Sequence, residues 1–403
     1  MTASLAGQPW LTAPATVAVF DALAAAGGEG RFVGGCVRDA LIGQPVGDID
    51  IATPLPPEGV VEAALAAGLK AIPTGIEHGT VTVVSGGRPH EVTTLRRDVS
   101  TDGRRATVAF TEDWAEDASR RDFRLNALYA DRDGRLFDPT GQGVADALAG
   151  RIVFVGEPER RIREDYLRIL RFFRFFAWFG QGEPDAESLA ACAGLGDGLK
   201  QLSAERVSRE WLKLLAARDP RPAVRLAAEA GVLRETLPWV GDLGLFERMV
   251  EIEADPLLRL SALLPVDAEI VREAADALRL SNAQKGRLIA ALPDPVTVEP
   301  GMDDRAARAA LYRLGRQAFR DRLLRGWAAA PGQATAARGL LALADAWARP
   351  EFPITGADLK AAGLEPSPRM GRILSELEAW WIAEDFPDVG LESKLADLIA
   401  REG

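Results

Sequence analysis

The sequence predicts an α+β protein, in which a small mixed α/β head precedes an all-helical region that runs almost to the end of the chain. Short β-branched runs alternate with helical segments only in the first part, residues 1–150. From about Glu159 onward the apolar spacing is helical, and Gly and Pro clusters near 180–185, 218–222 and 293–301 interrupt it. The chain has 403 residues, 47% of them hydrophobic, so it can bury more than one core.

The head begins with an alanine-rich helix over 16–26 that ends at a Gly-Gly pair. A short strand at 32–33 then leads into a helix over 37–42. The later segments are predicted from β-branched runs and from their flanking Pro and Gly residues: strands at 48–52 and 136–137, a helix at 58–67 after two prolines, a hairpin of 80–85 with 90–94, and a helix at 123–130.

Charge and cysteine usage restrict the compartment and the partners. The net charge of −11 argues against a nucleic-acid partner, but residues 151–174 contain seven arginines against four acids, and a local basic groove can bind phosphates. No apolar run has the length of a membrane span. Cys36 and Cys192 are the only cysteines, which favours buried, reduced thiols in the cytoplasm over a disulfide or a zinc site.

The stretch from Arg31 to Thr53 carries the strongest chemical signal. Gly34 and Gly35 lack Cβ atoms, so the backbone there can lie close against a ligand. Asp48 and Asp50 are two residues apart in a strand-like run and therefore project from one face, where a hard divalent ion such as Mg²⁺ relieves their repulsion. Such a pair suits phosphoryl or nucleotidyl transfer. The alternative is a βα turn and a solvated loop whose acids cap a helix.

These residues resemble a known family. GGCVRD followed by GDIDIAT is similar to the nucleotidyltransferase signature of the class II tRNA nucleotidyltransferases (CCA-adding enzymes) and their bacterial poly(A) polymerase relatives. The resemblance implies a polymerase beta-like head at 1–150, a helical neck at 151–240 that selects the base, and a helical body and tail at 241–403 that bind tRNA. It also implies that Gly34, Gly35 and Arg38 hold a triphosphate while Asp48 and Asp50 hold Mg²⁺.

Glu91 is the candidate for a third catalytic acid. It follows the Gly86-Gly87 turn in a predicted strand, and on a neighbouring strand it would complete a cluster with Asp48 and Asp50. An edge-strand glutamate that faces water explains it as well. The resemblance favours the cluster, because family members commonly carry an acid before a similar VTT-like stretch.

The segment Arg120–Ala127 resembles the family element RRDFTINA. Arginines such as Arg121 can clamp a triphosphate through forked, charge-assisted hydrogen bonds. Asp122 and Asn126 are four residues apart, hence on one helical face, where both can bond the ribose hydroxyls. The alternative is an amphipathic helix in which Asp122 is only an N-cap.

The segment Glu164–Phe175 resembles the family's EDxLRxxR helix. A carboxylate and a guanidinium held together present acceptor and donor atoms to an incoming base, and the resemblance assigns this role to Asp165 and Arg168. Arg171 and Arg174 would face phosphates or support that pair. A plain surface salt bridge is the alternative. The polar stretch 97–105 is expected to be a loop, which in the family is associated with the switch from adding C to adding A, and Ser203–Glu210 is expected to brace the neck.

The resulting hypothesis is template-independent addition or repair of the 3′-terminal CCA of tRNA from CTP and ATP, with Mg²⁺ as cofactor and with release of pyrophosphate. A poly(A) polymerase, or an enzyme that adds only CC or only A, is the same-class alternative. A noncatalytic RNA-binding protein on the same scaffold is the alternative from another class. The sequence leaves the oligomeric state open.

Overall fold

The computed structural model describes residues 4–101, 106–293 and 295–401. The chain forms two compact units, Met1–Pro238 and Trp239–Gly403, here called unit 1 and unit 2. Unit 1 contains the mixed α/β head and the first neck helices, and unit 2 is helical. No helix among the described residues is long and apolar enough to cross a membrane.

The head is built on a seven-stranded sheet with the order β3-β4-β5-β2-β1-β8-β9. Its strands are β1 (Arg31–Val33), β2 (Asp50–Thr53), β3 (Lys70–Gly75), β4 (Thr80–Ser85), β5 (Arg88–Thr94), β8 (Tyr129–Ala130) and β9 (Leu136–Phe137). The pairing of β2 with β5 is parallel and the other pairings are antiparallel. The predicted hairpin of β4 and β5 is confirmed, and β-branched Val81, Val83 and Val92 fill its buried face.

Helices pack around this sheet, and the first three of them lie close to the predicted positions. They are α1 (Pro14–Ala25), α2 (Gly35–Leu41), α3 (Pro57–Ala66), α4 (Trp114–Ser119) and α5 (Gly143–Ala149). Helices α1 and α3 both begin with proline, which supplies the backbone angle of a first helical turn without wasting a donor.

Two predictions in the head are wrong. Residues 123–130 form a 3-10 turn at Arg124–Asn126 followed by strand β8, because pairing with β1 buries Tyr129 and Ala130 and this tertiary gain outweighs local helix propensity. The polar stretch 97–105 is not simply a loop. Strands β6 (Arg96–Thr101) and β7 (Ala106–Phe110) form a two-stranded ribbon, and residues 102–105 lie outside the described part of the chain.

The neck helices of unit 1 are α6 (Pro158–Glu164), α7 (Leu167–Phe179), α8 (Ala186–Gly194), α9 (Ala204–Leu215), α10 (Arg221–Glu229) and α11 (Val232–Thr236). A cluster of phenylalanines joins α7 to the head. The Phe123 ring lies 4.8 Å from Phe154 and 4.9 Å from Phe175, and Phe154 stacks on Phe172. The apolar face of α7 thus positions its polar face beside the sheet.

In the described part of unit 2, helices pack around apolar clusters. One cluster includes Phe319 and Leu323, and another includes Leu377 and Trp381. The guanidinium of Arg287 donates hydrogen bonds to the carboxylates of Asp255 and Asp321, and these bonds link neighbouring helices of the unit. The helices are α12 (Gly244–Ile252), α13 (Pro256–Leu263), α14 (Ala268–Ala277), α15 (Asn282–Ala290), α16 (Asp304–Leu314), α17 (Arg316–Ala329), α18 (Ala334–Ala346), α19 (Gly356–Ala361), α20 (Pro368–Ala383) and α21 (Leu391–Arg401).

Candidate active site

A polar cavity of about 430 Å³ in unit 1 collects most of the predicted site residues. Its wall combines the glycine turn, the first residue of β2, the segment before β8, and the polar face of α7. The lining residues are Gly34, Gly35, Arg38, Asp50, Arg120, Arg121, Asp122, Asn126, Asp165, Leu167, Arg168, Arg171 and Arg206. Asp48, Glu91 and Arg174 are the predicted site residues that do not line it.

Asp50 lies next to Glu91 because β2 and β5 run parallel with these two residues in register. Burial, together with the charges of Glu91 and Asp48, raises the pKa of Asp50 to about 6 against the opposing charge of Arg121. Glu91 and Asp48 are exposed, and β2 begins at Asp50 rather than at Asp48. Three acids therefore influence one another near the start of β2, and a bound cation would relieve their repulsion.

The donor set near the start of β2 fits a hard divalent ion. Within the described residues no group of three His, Cys, Asp or Glu side chains is arranged to enclose a metal. Mg²⁺ does not need such a cage, because it is usually held by one or two carboxylates together with substrate phosphates and water. Asp50, with the neighbouring Asp48, supplies that number of carboxylates.

The glycine turn leaves room next to an arginine. Gly34 has φ of +71°, a left-handed conformation that a side chain would strain, and its N–H donates to the Leu128 carbonyl at 3.1 Å. A Cβ atom at Gly34 would lie 3.7 Å from Nη1 of Arg121. The bare backbone of the turn therefore forms one wall of the cavity, with a guanidinium opposite.

A chain of hydrogen bonds links Arg38, Asn126, Asp122 and Arg171. Arg38 donates to Oδ1 of Asn126, whose Nδ2 donates to Oδ1 of Asp122 at 3.3 Å, and Nε of Arg171 donates to Oδ2 of Asp122 at 2.8 Å. Burial raises the pKa of Asp122, but the Arg171 charge and its hydrogen bonds reverse this and hold it at about 2. Asp122 and Asn126 are adjacent as predicted, although a 3-10 turn rather than an α-helix brings them together.

The arginine pair of this segment is held from behind by an acid that the sequence analysis missed. Asp117, on α4, accepts hydrogen bonds from both Arg120 and Arg121. Asp117 lies three residues before the Arg120–Ala127 motif. Its i,i+3 and i,i+4 spacing to the two arginines is the sequence pattern that indicates this contact.

The segment 164–175 is not one continuous helix, because it contains the end of α6 and the start of α7. Helix α6 ends at Glu164, Asp165 is extended, and α7 begins at Leu167. Arg168 pairs with Glu164 at 2.8 Å, whereas Asp165 accepts from Leu167 N at 3.1 Å and from Arg206 at 2.6 Å. The expected Asp165–Arg168 pair is thus replaced by two pairs, and Arg206 of α9 enters the site although we had expected its segment only to brace the neck.

Arg174 contacts neighbouring side chains of the neck and does not line the cavity. Its Nε donates to Glu210 of α9 at 2.5 Å, and its guanidinium lies 4.5 Å from the ring centre of Phe175. Glu210 is buried, so this ion pair ties α7 to α9 beside the cavity. Arg171 lines the cavity, and it pairs with Asp122 rather than with the expected Asp165–Arg168 pair.

Two family models and several named proteins match this chain. A family model described as the poly A polymerase head domain matches residues 30–153, and one described as a probable RNA and SrmB-binding site of polymerase A matches residues 183–242. The mouse mitochondrial CCA tRNA nucleotidyltransferase 1 is 33% identical over 88% of this chain and 82% of its own length. The CCA-adding enzyme of Streptococcus gordonii is 33% identical over 89% of this chain and 90% of its own.

The fold has a matching solved structure as well. The crystal structure of the Bacillus stearothermophilus CCA-adding enzyme in complex with CTP superimposes with a TM-score of 0.78 at 27% identity, covering 96% of this chain and 97% of that one. The predicted fold class is confirmed by this likeness.

Proposed function

This chain belongs to the family of CCA-adding tRNA nucleotidyltransferases and poly(A) polymerases, and from that premise we propose that it adds the 3′-terminal CCA to tRNA from CTP and ATP with release of pyrophosphate. The observation that carries the proposal is the single cavity in which Asp50, the arginine pair and the polar face of α7 meet. The long match to enzymes named for CCA addition supports it.

We assign the metal to the acids near the start of β2 and the triphosphate to the glycine turn and the arginine pair. Asp48 and Asp50 would hold Mg²⁺, which when bound neutralises phosphate charge and lowers the pKa of an attacking hydroxyl. Glu91 adds negative charge beside Asp50. Arg120 and Arg121, which line the cavity, would bond phosphate oxygens, since guanidinium forks match them in geometry and charge.

The roles of the other cavity residues follow from their remaining donors and acceptors. Asn126 and Asp122 lie beside the glycine turn, where a ribose next to the triphosphate would be bonded. Asp165 and Arg168 lie on the neck side and supply one acceptor group and one donor group for a base edge, each fixed by a separate partner. In this assignment protein side chains take the place of a template.

We assign tRNA binding beyond the reacting end to the helices of residues 241–403, where shape and backbone contacts suffice for recognition of an RNA helix. For the compartment we propose the cytoplasm. Several curated vertebrate relatives are named mitochondrial, so imaging of a tagged full-length chain is the direct test.

The test of the function is nucleotide addition to three tRNA substrates that end before C74, after C74 and after C75. Purified protein is incubated with CTP alone, ATP alone or both, with Mg²⁺, and the products are resolved at single-nucleotide resolution. With CTP alone we expect two, one and no C additions to these three substrates respectively, and with ATP also present we expect one terminal A after the second C. Long A tails would identify a poly(A) polymerase, and addition of only CC or only A would identify a partial enzyme.

A further inference from the structure

Asp117 is the most deeply buried acid at the border of the cavity, with 1% of its surface exposed. It does not line the cavity. Its carboxylate is surrounded by donors: Arg120 and Arg121, the Tyr129 hydroxyl at 2.7 Å and the Arg96 backbone N–H at 3.2 Å. An acid is buried in this way only where its charge is compensated, so the group is ionised and anchored on every side.

The carboxylate bonds the same edge of both arginines. Nε and Nη2 of Arg120 donate to Oδ1 at 2.9 and 2.6 Å, and Nε and Nη2 of Arg121 donate to Oδ2 at 3.2 and 2.8 Å. Each guanidinium therefore has one edge occupied. In the described part of the chain Nη1 of each arginine has no hydrogen-bond partner.

The unoccupied Nη1 of Arg121 faces the cavity. It lies beside Gly34, 3.7 Å from the position of an added Cβ, and the Arg121 charge acts on Asp50 across the same space. An arginine without an anchor loses side-chain entropy whenever it binds a ligand, whereas an arginine already fixed along one edge loses little. The anchor also carries the opposite charge, which keeps two adjacent guanidiniums from repelling each other.

We infer that Asp117 is a positioning residue for nucleotide binding: it fixes the rear edges of Arg120 and Arg121 so that the free Nη1 of Arg121 points at the triphosphate. This inference rests on the proposed function for the identity of the ligand. Asp117 itself touches neither nucleotide nor metal. Because the triphosphate is common to CTP and ATP, the effect of losing Asp117 is the same for both.

The test is Asp117→Asn, which keeps the size of the side chain and removes the charge. Equilibrium binding of CTP and of ATP is measured calorimetrically without tRNA. We expect both dissociation constants to rise about ten- to hundredfold, the loss typical of charge-assisted hydrogen bonds. In the addition assay KM for both nucleotides rises by a similar factor, while kcat and KM for tRNA stay within about threefold.

Asp113→Asn is the matched control, because Asp113 begins the same helix as an exposed N-cap and asparagine caps equally well. It should leave nucleotide binding unchanged. Circular dichroism and thermal melting of both variants show whether the fold is retained.

A double-mutant cycle separates positioning from a merely structural role. If Asp117 acts through the arginine, Asp117→Asn should weaken binding much less in an Arg121→Gln background than in the wild type. An equal weakening in both backgrounds, or unchanged CTP binding in folded Asp117→Asn, would overturn the inference. The binding assay needs no turnover. Wild-type protein that binds CTP but extends no tRNA would contradict the proposed function while leaving the role of Asp117 open to the same measurement.

Discussion

Replacing Asp122 by Asn removes one charge at the point where the head meets helix α7. The carboxylate accepts from Arg171 on one oxygen, and from Phe123 N at 2.9 Å and Asn126 at 3.3 Å on the other. The amide keeps the shape but offers one acceptor oxygen and no charge, so the Arg171 guanidinium loses its ionic partner.

The size of the effect follows from the pKa of this carboxyl. Burial opposes ionisation, yet Arg171 lowers the pKa from 3.8 to about 2. At about 1.36 kcal/mol for each pKa unit, ionised Asp122 contributes about 2 kcal/mol to the stability of the folded state at neutral pH. Because the folded pKa lies below the unfolded one, this contribution is complete above about pH 5 and is lost as the pH falls toward 2.

Urea unfolding followed by tryptophan fluorescence measures this contribution. At pH 7 we expect Asp122→Asn to be about 2 kcal/mol less stable than the wild type, and near pH 3 we expect about half of that difference. Nucleotide selection provides a second measurement, because the rate ratio of CTP to dCTP should fall if Asp122 and Asn126 orient toward the ribose. A stability difference below about 0.5 kcal/mol at pH 7, or one that does not change with pH, would refute the assigned ion pair.

Three further substitutions test other parts of the site. Asp50→Asn should reduce single-turnover addition at least about a thousandfold, and it should raise the melting temperature of the metal-free protein because it relieves repulsion among crowded acids; an unchanged rate would exclude the metal role. Arg206→Gln should raise misincorporation of UTP and GTP, since Asp165 loses its 2.6 Å partner, and unchanged fidelity would remove Arg206 from base selection. Gly34→Ala should cost about 1 kcal/mol of backbone strain and weaken CTP binding beside Arg121, which calorimetry measures.

Much of the site was predictable because its chemistry is local in the chain. The glycine turn, the acids at 48 and 50, and the arginine pair each lie within a short motif, and residue type with spacing indicates their use. The helix predicted at 123–130 was wrong because strand pairing with β1 outweighs local propensity. The continuous helix predicted through Asp165 was also wrong, since this residue is extended and is held there by Arg206.

The amino-acid sequence alone therefore determined the fold class, the family and the motifs that line the cavity, because short-range periodicity and residue chemistry carry that information. Only the tertiary structure decided which charges pair. Asp122 meets Arg171 across 49 residues and Asp165 meets Arg206 across 41, in a chain with 48 basic side chains from which to choose. Spacing rules reach three or four residues along a helix, whereas these pairs depend on how α7 and α9 pack against the sheet.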